Sequence, residues 1–250
     1  MTLIALAAVV VLLAAANVVN NRLIPRAYLL ASLATTALLL VLLWLSGLTL
    51  ADAGLGRTGL GRGLRWGLVL VALVAVVYAL GALLPPTRRV FADPRAAGGG
   101  LGELAYQTLV RIPFATVLLE EVAFRGVLYG LVRAMAGVVW ATAVSSVLFG
   151  LWHVLPARDL QRIRPDAGRL LRSPALVVPA AVVGTGLAGV VLCELQRRAG
   201  SLAAPMALHW ATNALGYLTA FLVVRHLARY SAPSTSTMNR SGPAGLPLSP

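Results

Sequence analysis

The sequence predicts an all-α protein: a polytopic transmembrane helix bundle of about seven spans, within a range of six to eight. Three observations predict it. Of the 250 residues, 59% are apolar, where a soluble domain holds about 45–50%. The excess is gathered into blocks of about 20 residues with almost no charge, and about 20 helical residues cross the ~30 Å hydrocarbon core of a bilayer. No alternating stretch of the ~10-residue kind that builds a membrane barrel is present. Backbone in lipid must satisfy its own hydrogen bonds, so the blocks are helices.

The spans fall at about 2–19, 28–49, 65–84, 104–131, 137–155, 174–195 and 202–225. Residues 2–16 end in Ala14-Ala15-Ala16, as the apolar part of a cleaved leader does, but no positive segment precedes them, so a retained first span is expected. Pro113 interrupts the fourth block and predicts a kink or a short interfacial helix before the span proper. Pro85-Pro86, Pro94 and Gly98-Gly99-Gly100 break the chain between the third and fourth spans. Ser231 to Pro250, rich in Ser, Pro, Thr and Gly, reads as a disordered tail. The chain therefore divides into N-terminal spans with their loops (1–102), a second transmembrane core (103–228) and the tail (229–250).

The net charge is +13 and every basic residue is arginine. The arginines lie mostly between the apolar blocks, which excludes a nucleic-acid reading and assigns them to membrane orientation. Arg22, Arg26, Arg88, Arg89, Arg95, Arg158, Arg162, Arg164, Arg169, Arg172, Arg229 and Arg240 fall on one side; Arg57, Arg62, Arg65, Arg133, Arg197 and Arg198 fall on the other. The heavier side is the cytoplasmic one, which places the C-terminus in the cytoplasm of a cell whose arginine-only basic set suggests a GC-rich, bacterial source. Location in the plasma membrane is expected. Arg111 and Arg133 read as span-end charges. The one cysteine, Cys193, rules out an intrachain disulfide and any multi-cysteine metal site.

Polar residues at membrane depth are costly and carry a functional hypothesis by default. Glu120 and Glu121 are adjacent in Val117-Leu118-Leu119-Glu120-Glu121-Val122-Ala123-Phe124-Arg125; His153 closes Phe149-Gly150-Leu151-Trp152-His153; His209 opens His209-Trp210-Ala211-Thr212-Asn213. Residues four apart share a helix face, so Glu121 and Arg125 can pair, while Glu120, turned about 100° away, is free to face a cavity. His209 and Asn213 share a second face, Phe149 and His153 a third. A carboxylate, two imidazoles and an amide can thus meet at one buried point. That set suits hydrolysis by an activated water: a shielded carboxylate as general base, an imidazole to hold the water, and a second His with an Asn amide to donate to a developing oxyanion. The same Glu120, His153 and His209 can instead hold a divalent metal such as zinc with an open position for water. No cofactor beyond that candidate metal is implied.

Glu120-Glu121-x-x-x-Arg125, Phe149-x-x-x-His153 and His209-x-x-x-Asn213, in order and inside apolar spans, resemble the three-motif signature of the CPBP family. That family includes CAAX prenyl proteases of the Ras-converting type and bacterial Abi-like, bacteriocin-processing proteins. The stretch from Gly189 to Pro205 is similar to the family's approach to its third motif. The resemblance covers about residues 103–225, and no motif position is altered. It implies that Glu120 activates water together with His153, that His209 and Asn213 stabilise the oxyanion, that Glu121 and Arg125 support the site, and that Phe149 packs near it. The implied activity is an intramembrane endopeptidase acting on a membrane-associated protein or peptide, with membrane lipid as its other partner. The alternative is a non-catalytic membrane scaffold or immunity protein of the same fold. A proton or metal transporter, the third class, lacks the expected repeats and broken-helix pairs. The arginine-rich stretch from Pro156 to Ser173 is long for a connection, and is either a substrate- or lipid-contacting element or a passive loop.

Overall fold

Helices and turns account for the secondary structure of the described residues, with no strand among them. The structure is a computed structural model that describes residues 2–88, 91, 93, 99–163 and 173–231. The Ser/Pro-rich tail from residue 232, residues 164–172 of the arginine-rich stretch, and Pro94 and Gly98 of the breaker cluster lie outside the described residues.

Six helices are long and apolar enough to cross a membrane. Three precede the first motif: α1 (Thr2–Leu23), α2 (Pro25–Leu45) and α3 (Leu60–Leu83). The fourth, Leu101–Arg162, has 62 residues and would measure about 90 Å if straight, three times the bilayer core. It turns back on itself at Gly137, whose φ of 82° and ψ of 179° suit a residue without a Cβ. The two arms, α4 (101–136) and α5 (138–152), run antiparallel. Ser145 Oγ donates to the Phe124 carbonyl at 2.8 Å, and Trp152 Nε1 donates to Glu120 Oε1 at 3.1 Å. Each bond joins a residue before the turn to one after it. A short helix α6 (Val154–Ile163) follows, then α7 (Pro174–Ala199) and α8 (Ala203–Ala228). The protein is an all-α polytopic bundle, and the broken fourth helix brings the passes to seven.

Pro113 lies inside α4, in a π-helical stretch, Gln107–Val117, whose wider turn accommodates the ring; the chain reverses further on, at Gly137. Arg62, expected in the loop before the third span, and Arg65, expected at its start, lie in the first turns of α3, where long arginine stems can carry the charge outward.

One apolar cluster joins Val9 and Leu13 of α1, Leu39 and Leu43 of α2, Leu119 and Phe124 of α4, Phe149 and Trp152 of α5 and Cys193 of α7. The N-terminal spans are therefore packed onto the motif-bearing helices. α3 packs instead on α8 through small residues: a Cβ on Gly67 would lie 2.7 Å from the Ala207 Cβ, and one on Gly63 3.0 Å from the Ser201 Cβ. This is the small-residue packing by which membrane helices approach closely. Leu68, Val69 and Leu83 point outward and are exposed, a surface suited to lipid. Contacts at the helix ends group the loops. Arg22 meets Asp159, and Arg88 meets His226, at one end; Arg62 donates to the Arg198 carbonyl, and Leu202 N to the Gly54 carbonyl, at the other.

The α5–α7 contact is the closest to the motifs. A Cβ on Gly150 would lie 2.6 Å from the Val182 carbonyl oxygen, and one on Gly189 3.0 Å from the Ser146 Cα. Backbone cannot yield as a side-chain tip can. Gly150→Ala is expected to lower stability by about 1–3 kcal/mol and to displace the neighbouring Phe149. A melting curve in detergent checks this, and an unchanged midpoint would show that the helices separate without cost.

Candidate active site

Three helices converge on Glu120. It lies on α4 between two π-helical stretches, Gln107–Val117 and Glu121–Leu128; π-helical turns recur at functional sites because they displace side chains from α-helical register. Glu120 is 4% exposed and Glu121 fully buried. Glu120 Oε1 accepts the Trp152 indole hydrogen bond. Its other oxygen, Oε2, is buried without a hydrogen-bond partner, 4.0 Å from His153 Nε2 and 3.8 Å from His209 Nε2.

Both imidazoles are held by their far nitrogens. His153 Nδ1 lies 2.8 Å from the Phe149 carbonyl, one turn back, and His209 Nδ1 lies 2.7 Å from Glu121 Oε1. The carbonyl can only accept and Glu121 accepts when ionised, so Nδ1 carries the proton in each ring and Nε2 faces Glu120. His153 caps the end of α5, where the helix stops and the ring can turn toward the cavity. Arg125 is fully buried. Its Nη1 donates to Glu121 Oε1 at 3.2 Å, its guanidinium carbon sits 3.9 Å from the Phe149 ring centre, and its Nε and Nη2 have no hydrogen-bond partner. Glu121 thus binds Arg125 and His209 through one oxygen. Phe149 packs edge-on against both rings, 4.7 Å from His153 and 6.2 Å from His209 between centres.

A cavity of about 1080 Å³ opens over the site, lined among others by Tyr28, Arg111, Glu120, His153 and Asn213. Asn213 is exposed to it, on the π-helical Ala211–Leu215. Pro156, Asp159 and Leu160 of α6 form part of the wall, so the described part of the arginine-rich stretch borders the cavity. Its volume lies at the upper end of the range for ligand sites.

Three contributing residues were not singled out from the sequence. Trp152 reads as an interfacial aromatic because it closes a span beside His153, yet it donates to Glu120. Asn17 lies in the first span, which carries no motif, yet its Nδ2 donates to the Trp152 carbonyl at 2.9 Å; its amide inside an apolar block is the one signal that could have found it. Arg111, expected to be a span-end charge, also lines the cavity, its guanidinium 4.9 Å from the Tyr28 ring and its Nη1 on Gln107 Oε1.

With this geometry in view, comparison with known families identifies the segment that carries it: residues 102–215 match the model of the Rce1-like family, type II CAAX prenyl endopeptidases. Residues 102–215 are similar to an Rce1-like domain. No curated protein and no solved structure matches the chain. The Rce1-like domain contains Glu120, Glu121, Arg125, Phe149, His153, His209 and Asn213, whereas Asn17 and Tyr28 reach it from outside. That similarity and the six helices long and apolar enough to cross a membrane together point to a membrane protein.

A divalent metal is the one cofactor the donor set suits chemically. Among the described residues no group of three or more His, Cys, Asp and Glu side chains is set at metal-binding spacing. Ligands about 2.0–2.1 Å from a tetrahedral ion stand about 3.4 Å apart, and Glu120 Oε2 stands 3.8 and 4.0 Å from the two Nε2 atoms. Both distances exceed that spacing by about half an ångström.

Proposed function

We propose that the protein is an intramembrane endopeptidase that cleaves a peptide bond of a membrane-associated protein or peptide, using a water activated by Glu120 and His153. The observation that carries this reading is Glu120 Oε2: a buried, unpartnered carboxylate oxygen, facing two imidazole Nε2 atoms at a spacing that one water can bridge. The Glu120 carboxylate takes a proton from that water as its oxygen adds to the scissile carbonyl carbon. His153 Nε2 holds the water from the other side. As an imidazolium, His209 keeps one N–H on Glu121 and offers the second, with the Asn213 amide, to the developing oxyanion. When the C–N bond breaks, the proton passes from Glu120 to the leaving amine. Arg125 holds Glu121, and Glu121 holds the His209 ring.

A metal-assisted version has its own support, since a neutral His209 presents an Nε2 lone pair instead of a proton. A divalent ion on Glu120, His153 and His209 would polarise the carbonyl and make the bound water more acidic. The N-terminus-outside, C-terminus-cytoplasmic orientation is proposed on the arginine distribution alone.

The test uses the full chain in detergent or liposomes, against a prenylated CAAX reporter and a pool of membrane-anchored peptides. His209→Ala is expected to lower kcat about 10²- to 10³-fold. Asn213→Ala is expected to lower it less, because its amide is one of two donors. A chelator that abolishes wild-type cleavage selects the metal-assisted version; full activity with chelator selects the metal-free one. Folded wild type that cleaves nothing in the pool would overturn the reading in favour of a scaffold.

A further inference from the structure

The two oxygens of Glu120 are chemically identical, yet only one faces the histidines. We propose that Trp152 is a positioning residue that makes them different, and that Asn17 of α1 extends this tether from outside the Rce1-like domain. The inference rests on the reading of Glu120 as the base and adds how that base is aimed.

A carboxylate turns about a broad, nearly two-fold terminal torsion, so nothing within Glu120 selects which oxygen meets the water. The Trp152 indole is a donor only. By taking Oε1 at 3.1 Å it leaves Oε2 as the oxygen that faces His153 and His209. The indole is itself fixed, 7% exposed and edge-on to Phe124 at 5.7 Å. α5 ends at Trp152, and carbonyls in the last turn of a helix lack intrahelical donors. Asn17 Nδ2 supplies one at 2.9 Å, and Asn21 Nδ2 holds Asn17 Oδ1 at 2.7 Å. A chain of hydrogen bonds thus runs from α1 through Asn17 and Trp152 to Glu120. Because His153 follows Trp152 directly, the same anchor sets the backbone from which the second site residue projects. This gives a motif-free span a part in the chemistry.

Trp152→Phe keeps an aromatic ring and removes the N–H. We expect kcat to fall about 10- to 100-fold with KM within about twofold, since the lost bond aims the base and does not bind substrate. Asn17→Ala should act in the same direction, about 3- to 10-fold. Trp140→Phe, at a tryptophan 62% exposed, is the control that changes neither constant. A wild-type-like kcat in Trp152→Phe, measured beside active wild type, would overturn the proposal. If wild type cleaves none of the reporters, the peptidase reading fails by itself and melting in detergent decides the tether. Trp152→Phe, Glu120→Leu and the double variant form a cycle. A Trp152→Phe shift that shrinks by half or more in the Glu120→Leu background supports the contact. Shifts that add to within about one degree overturn it.

Discussion

Glu120→Gln is expected to lower kcat by about two to four orders of magnitude, with little change in KM or in melting temperature. Positioned general bases contribute about 10²- to 10⁴-fold. Glutamine has nearly the volume of glutamate and keeps an oxygen to accept from Trp152 Nε1, so the hydrogen bond that holds the side chain survives. The amide cannot take a proton from water. With the base removed, the residual rate should reflect the oxyanion donors. Cleavage of the membrane-anchored reporter, scored by mass, measures this. A Glu120→Gln protein retaining a third or more of wild-type kcat would remove Glu120 from the chemistry and leave the cavity to a binding role.

Arg125→Met is the substitution expected to cost the most stability. Arg125 and Glu121 are both fully buried, 3.2 Å apart, and removing one partner of a buried pair costs about 3–5 kcal/mol. Here the loss extends further, because the oxygen of Glu121 that meets Arg125 also meets His209. Uncompensated Glu121 is expected to draw water or a proton, and the His209 ring loses its fixed edge. The variant should therefore melt well below wild type and lose activity even where it folds. Pairing Arg125→Met with Glu121→Gln removes both charges, and should recover a substantial part of the melting temperature while leaving activity low. Thermal melts in one detergent compare the three. A melting midpoint for Arg125→Met within about two degrees of wild type would mean that the pair contributes specificity without stability.

Much of the fold was legible because the bilayer imposes one rule. Apolar blocks of about 20 residues must be helices, and the positions of six helices follow that rule to within a few residues. The residues of the candidate site were legible for the same reason turned around: a glutamate or a histidine inside such a block stands out against its surroundings. The pairing of Glu121 with Arg125 follows from helical spacing alone.

What the chain order cannot express is contact between helices. Helical spacing offers Glu121 one partner, Arg125, and the structure adds His209, 88 positions away. Trp152 was hidden because an aromatic at a span end serves equally well at a lipid interface. Only the antiparallel return of α5 on α4, with Gly137 at the turn, places its indole on Glu120. Asn17 was hidden more deeply, since its partner is a main-chain carbonyl, which every residue has. The π-helical form of the stretch around Pro113 was not legible either, because the local helix width depends on neighbouring packing. The sequence by itself determined a membrane bundle, its helices and the residue types able to do hydrolytic chemistry, because those depend on hydrophobicity and period. Only the tertiary structure decided which nitrogen meets which oxygen, because hydrogen bonds act over about 3 Å and that distance is set by how helices pack.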